Sequence, residues 1–460
     1  MSHDVSPARR HTIHFDCALL PGGWAENVRL AIEGGVIAAV EIGVDPASAD
    51  ERHAIAIPGM PNVHSHAFQR GMAGLAERRG AGDDSFWTWR EIMYRFVDRI
   101  DAGALHAIAA LAYVEMLETG FVRVGEFHYV HHDPDGSPYA DPAELTHGII
   151  AAAAETGIAL THLPVFYAHS GFGGLPANEG QRRFVHDPDS FARLLEAARE
   201  AAAALPDALV GIAPHSLRAV TAEELRLLQQ MAGAAPVHIH IAEQVREVDD
   251  CLAWSGRRPV EWLLDNAEVD ARWCLVHATH MAAAEVTALA AIGAVAGLCP
   301  VTEANLGDGL FPASAFLAAG GRFGIGSDSN VLIDMAEELR WLEYGQRLAA
   351  RSRNVMAPGS DCSTGQAIFD AALAGGAQAL GAPAGLAAGN AADVVSLDAD
   401  HPSLADRPAA AILDGFLFAA GRSAVDCVWR RGDKLVSGGR HVARDAIAAR
   451  YRKAIGALIA

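Results

Sequence analysis

The chain has 460 residues, 51% hydrophobic and 20% charged, more than one compact core usually holds, so a large domain with a smaller companion is expected. A formal net charge of −20 argues against a nucleic-acid or membrane partner, because no basic field would offset phosphate repulsion. Lys434 and Lys453 are the only lysines, so an acidic small substrate would have to be caught by local arginines.

The N-terminal stretch is followed by no apolar segment of signal-peptide type. No run of about 18 apolar residues occurs elsewhere, and the expectation is a soluble, cytoplasmic protein. Six scattered cysteines without a Cys-x-x-Cys pattern read as small buried thiols in a reducing compartment.

Residues 11–57 carry short β-type runs at 11–20, 28–32 and 36–42, broken by Pro21-Gly22-Gly23 and Gly34-Gly35, which predicts a small antiparallel sheet. From 58 to 382 alanine-rich amphipathic stretches (102–119, 142–156, 190–204, 221–232, 259–267) alternate with short apolar runs (122–126, 158–164, 209–214, 236–240, 273–277, 294–298, 322–326). With the run before His64 this makes about eight β-α units, the pattern of a (β/α)8 TIM-like barrel in the α/β class, with a doubly wound open sheet as the alternative. After about 383 the β texture returns at 392–397, 424–430 and 434–436. Both chain ends, 1–57 and 383–460, are therefore expected to build one small β-sandwich domain beside a catalytic barrel at 58–382.

Barrel chemistry sits at the C-terminal strand ends, so the residues that terminate the apolar runs matter most. In order they are His64 and His66, Glu126 and Tyr129, His215, His240 with Glu243, His277, and Asp328. Residues i and i+2 of a strand face the same way, so His64 and His66 can grip one ion. With 21 histidines such a pair arises about once by chance; the joint order carries the argument. His64, His66, His240 and Asp328 offer three imidazoles and a carboxylate, a donor set for one divalent ion, zinc first and ferrous iron also accepted. Glu243, three residues after His240, is placed as a general base, and His277 as a group that orients water or steadies a tetrahedral centre. Each residue taken alone also has a bland reading: a hydrogen-bonded histidine, a turn, a helix-start carboxylate.

Through 61–70 (Pro-Asn-Val-His-Ser-His-Ala-Phe-Gln-Arg), 86–90 (Phe-Trp-Thr-Trp-Arg), 213–218 (Ala-Pro-His-Ser-Leu-Arg) and 238–244 (His-Ile-His-Ile-Ala-Glu-Gln) the sequence resembles the amidohydrolase superfamily along essentially its whole length. Within its mononuclear deaminase branch it is similar to the group that deiminates N-formimino-L-glutamate in histidine degradation. The resemblance implies hydrolysis to N-formyl-L-glutamate and ammonia, a homodimer, and an Asp328 that shares proton shuttling while remaining a ligand. It also implies a pocket for a dicarboxylate formed by Gln69, Arg90, Tyr129, His215 and Arg218. From the residues alone, Arg90 and Arg218 could equally lie on the surface, and Trp87 and Trp89 read as packing groups. Binuclear members often use a bridging carbamylated lysine, which a chain without lysine before 434 cannot supply; a bridging Glu126 stays open. The second enzymatic reading is a guanine- or adenosine-type aromatic-amine deaminase; a non-catalytic barrel scaffold is the third. His131 and His132 read as solvent-facing or lid residues, His238 as a buried histidine, His280 as a helix-start residue, and Arg257-Arg258 as a solvated loop.

Overall fold

A computed structural model describes residues 10–80, 82 and 84–459; positions 1–9 of the expected small domain lie outside them. β1 (Arg10–Leu20), β2 (Gly23–Glu33) and β3 (Val36–Ile42) form an antiparallel meander turned at the Gly-rich breaks. β4 (Glu51–Pro58) returns parallel to β1.

The next strands are β5 (Met60–Ser65), β6 (Phe121–His128) and β7 (Ala159–Phe166), a hairpin β8 (His169–Gly171) and β9 (Leu175–Pro176), and the short β10 (Leu209–Val210) and β11 (Ala213–Pro214). β12 (Val237–Ile241), β13 (Trp273–His277), β14 (Val295–Leu298) and β15 (Arg322–Ile325) follow. Except for the hairpin, these strands pair in parallel in the order β10-β7-β6-β5-β15-β14-β13-β12, with β11 also on β7. Single bridges Ile212–Val237 and Ser216–His240 tie the β10–β11 segment to β12, so the sheet has the connectivity of a TIM-like barrel. β5, β6, β7, β12 and β13 are buried at every position, which is why they read as continuous apolar runs rather than alternating ones.

The alanine bias has a packing origin. Helix Ala102–Glu118, capped by the Asp101 carboxylate on the amide of Ala104, is buried from Ala104 to Glu118 except at His106. It touches helix Glu144–Thr156, the C-terminal helix Arg444–Ile459 and β6, and small side chains allow such close approach on several sides. β16 (Val394–Leu397), β17 (Val425–Arg430), β18 (Asp433–Ser437) and β19 (Arg440–His441) close the chain. The strands of the two chain ends form one hydrogen-bonded path, β19-β18-β17-β16-β4-β1-β2-β3, so both ends contribute to one shared β structure. Its central strand, β4, carries no strong sequence signal of its own.

Three expectations about single residues change. His131 and His132 are buried, 2% and 9% exposed, because segment 183–186 folds over them: their amides donate to the Arg183 carbonyl and their rings bond the carbonyls of Val165 and Val185. Arg258 is not freely solvated but pairs with the buried Glu285 at 2.7 Å. Of the six free cysteines, Cys362 is exposed and Cys17 only partly covered. His238 is fully buried and bonded to the Ala379 carbonyl at 2.8 Å.

With His128, His162 and His186, residues His131 and His132 form a chain of ring contacts 4.6–5.7 Å apart. Burial depresses all five, His162 and His186 to about 3. A histidine whose folded pKa lies below its free value of about 6.5 contributes its full stability above that pH and loses it as pH falls, at up to ~1.4 kcal/mol per pH unit for each group. The melting temperature should therefore fall by several degrees between pH 7 and pH 5; a level value over that window in thermal unfolding would reject this account.

Candidate active site

Four strand-end side chains from three places in the ring meet at one point. His64 Nε2 lies 3.2 Å from His66 Nε2 and 3.0 Å from His240 Nε2, and Asp328 Oδ1 is 3.4 and 3.3 Å from the first two. His66 and His240 each turn Nδ1–H to a backbone carbonyl, Phe127 at 2.9 Å and His215 at 3.1 Å. That fixes the tautomer, so their Nε2 lone pairs point inward. Facing lone pairs repel unless a cation lies between them, and a tetrahedral ion with bonds of ~2.0–2.1 Å spaces its ligands by about 3.3–3.4 Å. The donor set fits a divalent metal on geometry and on chemistry. Burial keeps His66 and His240 below the usual imidazole range and His64 at about 3. Burial alone would raise the Asp328 carboxyl, but the adjacent histidines hold it far below the usual carboxylate range.

Two asparagines, unnoticed in the sequence, weld this joint. Asn62 accepts from the Ser327 amide and donates to Ser327 Oγ, while Asn330 Nδ2 donates to Ser65 Oγ and to the carbonyls of His66 and Asp328. Asp328 also exchanges backbone bonds with β5, its amide to the His64 carbonyl and its carbonyl from the His66 amide, both 2.9 Å. Ala242, His277, Ala278, Asp328 and Asn330 all adopt positive φ; such strained backbone clusters at functional sites.

Glu243 and His277 flank the cluster. His277 Nε2 lies 3.9 Å from Glu243 Oε1 and 3.8 Å from Asp328 Oδ2, and its Nδ1 is bonded to Glu303 at 3.2 Å. Burial would lower His277, but Glu243, Glu303 and Asp328 raise it to about 10. Burial also lifts Glu243 to about 7, opposed by His277 and Arg218, so it sits where a proton is exchanged readily near neutrality. Its loop is pinned by Glu247, which accepts from the amides of Ala242 and Glu243.

A pocket opens over these groups and is lined by His66, Gln69, Arg90, Tyr129, His215, Arg218, His240, Glu243, His277 and Asp328. All the residues expected at the site are thus brought together. Arg218, 8% exposed, and Arg90 have no carboxylate partner among the described residues, and the buried Nε of each is unpaired. Instead they lie over Trp87, at 5.7 and 4.5 Å from the ring centroid. Arg218 is buried with only the nearby charges of Glu247 and Glu243 and no ion pair among the described residues, and Arg90 is half-buried, so the two guanidinium groups keep donors free for an anion. Gln69 donates to Tyr129 at 2.8 Å and keeps an unpaired Oε1. Sequence reasoning missed the walls, Met93, Tyr94, Tyr167 and Phe184, and read Trp89, which lines the pocket, as packing alone.

Residues 55–435 match the Amidohydrolase family as a whole. The chain belongs to this family. Residues 10–54 match the N-terminal domain described as "Formimidoylglutamate deiminase HutF". A formimidoylglutamate deiminase of Pseudomonas aeruginosa is 53% identical over 445 residues, 96% of this chain and 98% of that one. The crystal structure of an amidohydrolase from Brucella melitensis superposes with a TM-score of 0.95 at 57% identity, covering 98% of this chain and all of the other. An adenosine deaminase from Xanthomonas campestris, solved with bound zinc, shares the fold at a TM-score of 0.78 and 23% identity, over 97% and 98% of the two chains.

Two further groups of this amidohydrolase that carry metal-ligand side chains are already bonded within the protein. Glu126 is engaged elsewhere, accepting from the Ala67 amide at 2.7 Å and the Tyr113 hydroxyl at 3.1 Å. His53, Asp426 and Cys427 lie together in the terminal sheet. There His53 already pairs with Glu51 and Asp426, and the Cys427 thiol donates to Asp426, so these groups satisfy one another.

Gly326 packs so tightly on β5 that an added Cβ would sit 2.8 Å from both N and O of His64. Gly326→Ala should thus move His64, destabilise the amidohydrolase by about 1–3 kcal/mol, and weaken its metal binding. Unfolding and metal titration of the variant check this, and parent-like values in both would refute it.

Proposed function

We propose that this amidohydrolase deiminates N-formimino-L-glutamate, adding water to the formimino carbon and releasing ammonia to leave N-formyl-L-glutamate. The observation that carries the reading is the pair of arginines with no direct ion pair among the described residues and an unpaired Nε each, Arg90 and Arg218, facing the histidine–aspartate cluster across one pocket. A dicarboxylate substrate provides two partners for them, whereas an uncharged purine, the aromatic-amine alternative, leaves both unpaired. The identity to the Pseudomonas deiminase supports the same choice.

His64, His66, His240 and Asp328 would hold one divalent ion, zinc first. Such an ion supplies the acidity that makes a bound water nucleophilic near neutral pH, with a pKa brought toward ~7. Arg90 and Arg218 bind the carboxylates, while Gln69, Tyr129 and His215 bond the substrate beside them. Glu243, held near 7 by burial, takes the proton of the attacking water and passes it to the departing nitrogen. His277 donates from Nε2 toward the tetrahedral carbon's oxygen, and Asp328 assists proton transfer while keeping its place as a ligand. Collapse of the tetrahedral centre breaks the C–N bond, and nitrogen leaves as ammonia.

We read residues 58–382 as a catalytic (β/α)8 barrel and 1–57 with 383–460 as a β-sandwich domain, on the strength of the two sheets and their separate pairings. The family resemblance supports a cytoplasmic homodimer.

Ammonia release should be seen with N-formimino-L-glutamate and not with guanine or adenosine; release from the purines alone would overturn the assignment. Arg218→Ala and Arg90→Ala should each lower kcat/KM about 10- to 100-fold, the worth of a charged hydrogen bond of ~1.5–3 kcal/mol, chiefly through KM. Metal analysis should return about one ion per chain, lost in His240→Ala; two per chain, or none, would refute the mononuclear site.

A further inference from the structure

We infer that Glu303 is a positioning residue for this reaction, acting through His277. The inference rests on the deiminase reading for its kinetic part and on geometry for the rest. Glu303 belongs to Pro300–Leu306, the short helix that follows β14, and is 4% exposed. It does not line the pocket, and its side-chain bonds go to His277 and the Cys299 amide rather than to the four ligands.

One oxygen of Glu303 receives two bonds, from His277 Nδ1 at 3.2 Å and from the Cys299 amide at 2.9 Å. The oxygen that accepts from the Cys299 amide accepts from His277 too, so Nδ1 carries a proton there in addition to the one donated from Nε2. The ring is consequently held with Nε2 toward Glu243 and Asp328. His277 is at a strained backbone position, φ 67°, which aims the side chain but does not choose between the two ring flips. The bond to Glu303 makes that choice. The same segment is anchored to the loop of the base: the Asp308 amide donates to the Glu303 carbonyl at 2.9 Å, and Gln244, next to Glu243, donates to the Asp308 carboxylate.

The two variants Glu303→Ala and Glu303→Gln separate positioning from mere packing. The Cys299 amide points at the bonded oxygen, so a glutamine there turns its carbonyl to that spot and still accepts from His277. Glu303→Ala should lose about 100-fold or more in kcat with KM little changed, and Glu303→Gln should recover most of that loss. In protein carrying 15N-labelled histidine, the Nδ1–H resonance that is missing from His277→Gln should persist in Glu303→Gln and disappear in Glu303→Ala. An unchanged resonance or unchanged kcat in Glu303→Ala would overturn the inference. So would a loss carried by KM, or one matched by a fall in folded protein or in bound metal. If the parent releases no ammonia from formiminoglutamate, the deiminase reading fails, whereas the resonance still reports on Glu303.

Discussion

Everything at the site depends on a seam: β5 and β15 run side by side, so that the end of the first ring strand and the end of the last deliver ligands to one point. Histidine spacing alone would leave His64 and His66 facing inward with nothing opposite. The seam adds Asp328, and it is held by side-chain amides, with Asn62 and Asn330 bridging chain segments that are more than 250 residues apart in sequence. Those bonds are buried, where an unmade bond costs about 1–3 kcal/mol, so the joint is either complete or strongly unfavourable. Rigid placement of this sort is what ligand convergence to about 3.3 Å demands.

Around that point the environment splits the acids into roles. Asp328 lies against histidines and is kept ionised, whereas Glu243 is buried with weaker compensation and is lifted to about 7. The cations follow a parallel logic. In a chain of strongly negative net charge, many arginines find carboxylates, as Arg70 does with Glu115 and Arg347 with Glu343. Arg90 and Arg218 stand over an indole instead, which steadies a guanidinium without neutralising it.

Much of this was legible in the sequence, for identifiable reasons. Strands buried on both faces announce themselves as apolar runs, and a barrel puts its chemistry where those runs stop, so His64, His66, His240, Glu243, His277 and Asp328 could be read off in order. Bonds between distant segments were not legible. Asn62, Asn330 and Glu303 look like turn or helix-start residues until the strands are side by side. His131 and His132 looked exposed because Pro and Gly surround them; their cover comes from 183–186, across an intervening strand. β4 escaped notice because its length mixes charged and apolar residues, as befits a strand entering the interior from the surface.

The shared sheet has a consequence for how the protein is made. β4 lies between β1 and β16, so one of its two edges stays without a partner until residues 394–397 have left the ribosome. At ~5–20 residues per second that interval is about 17–70 s. During it the nascent chain displays an open backbone edge, the kind of surface that invites pairing with another chain. Finishing the ring first and sealing the edge last makes the C-terminal strands the latch of biosynthesis, and a ribosome that stops early leaves behind a sticky product.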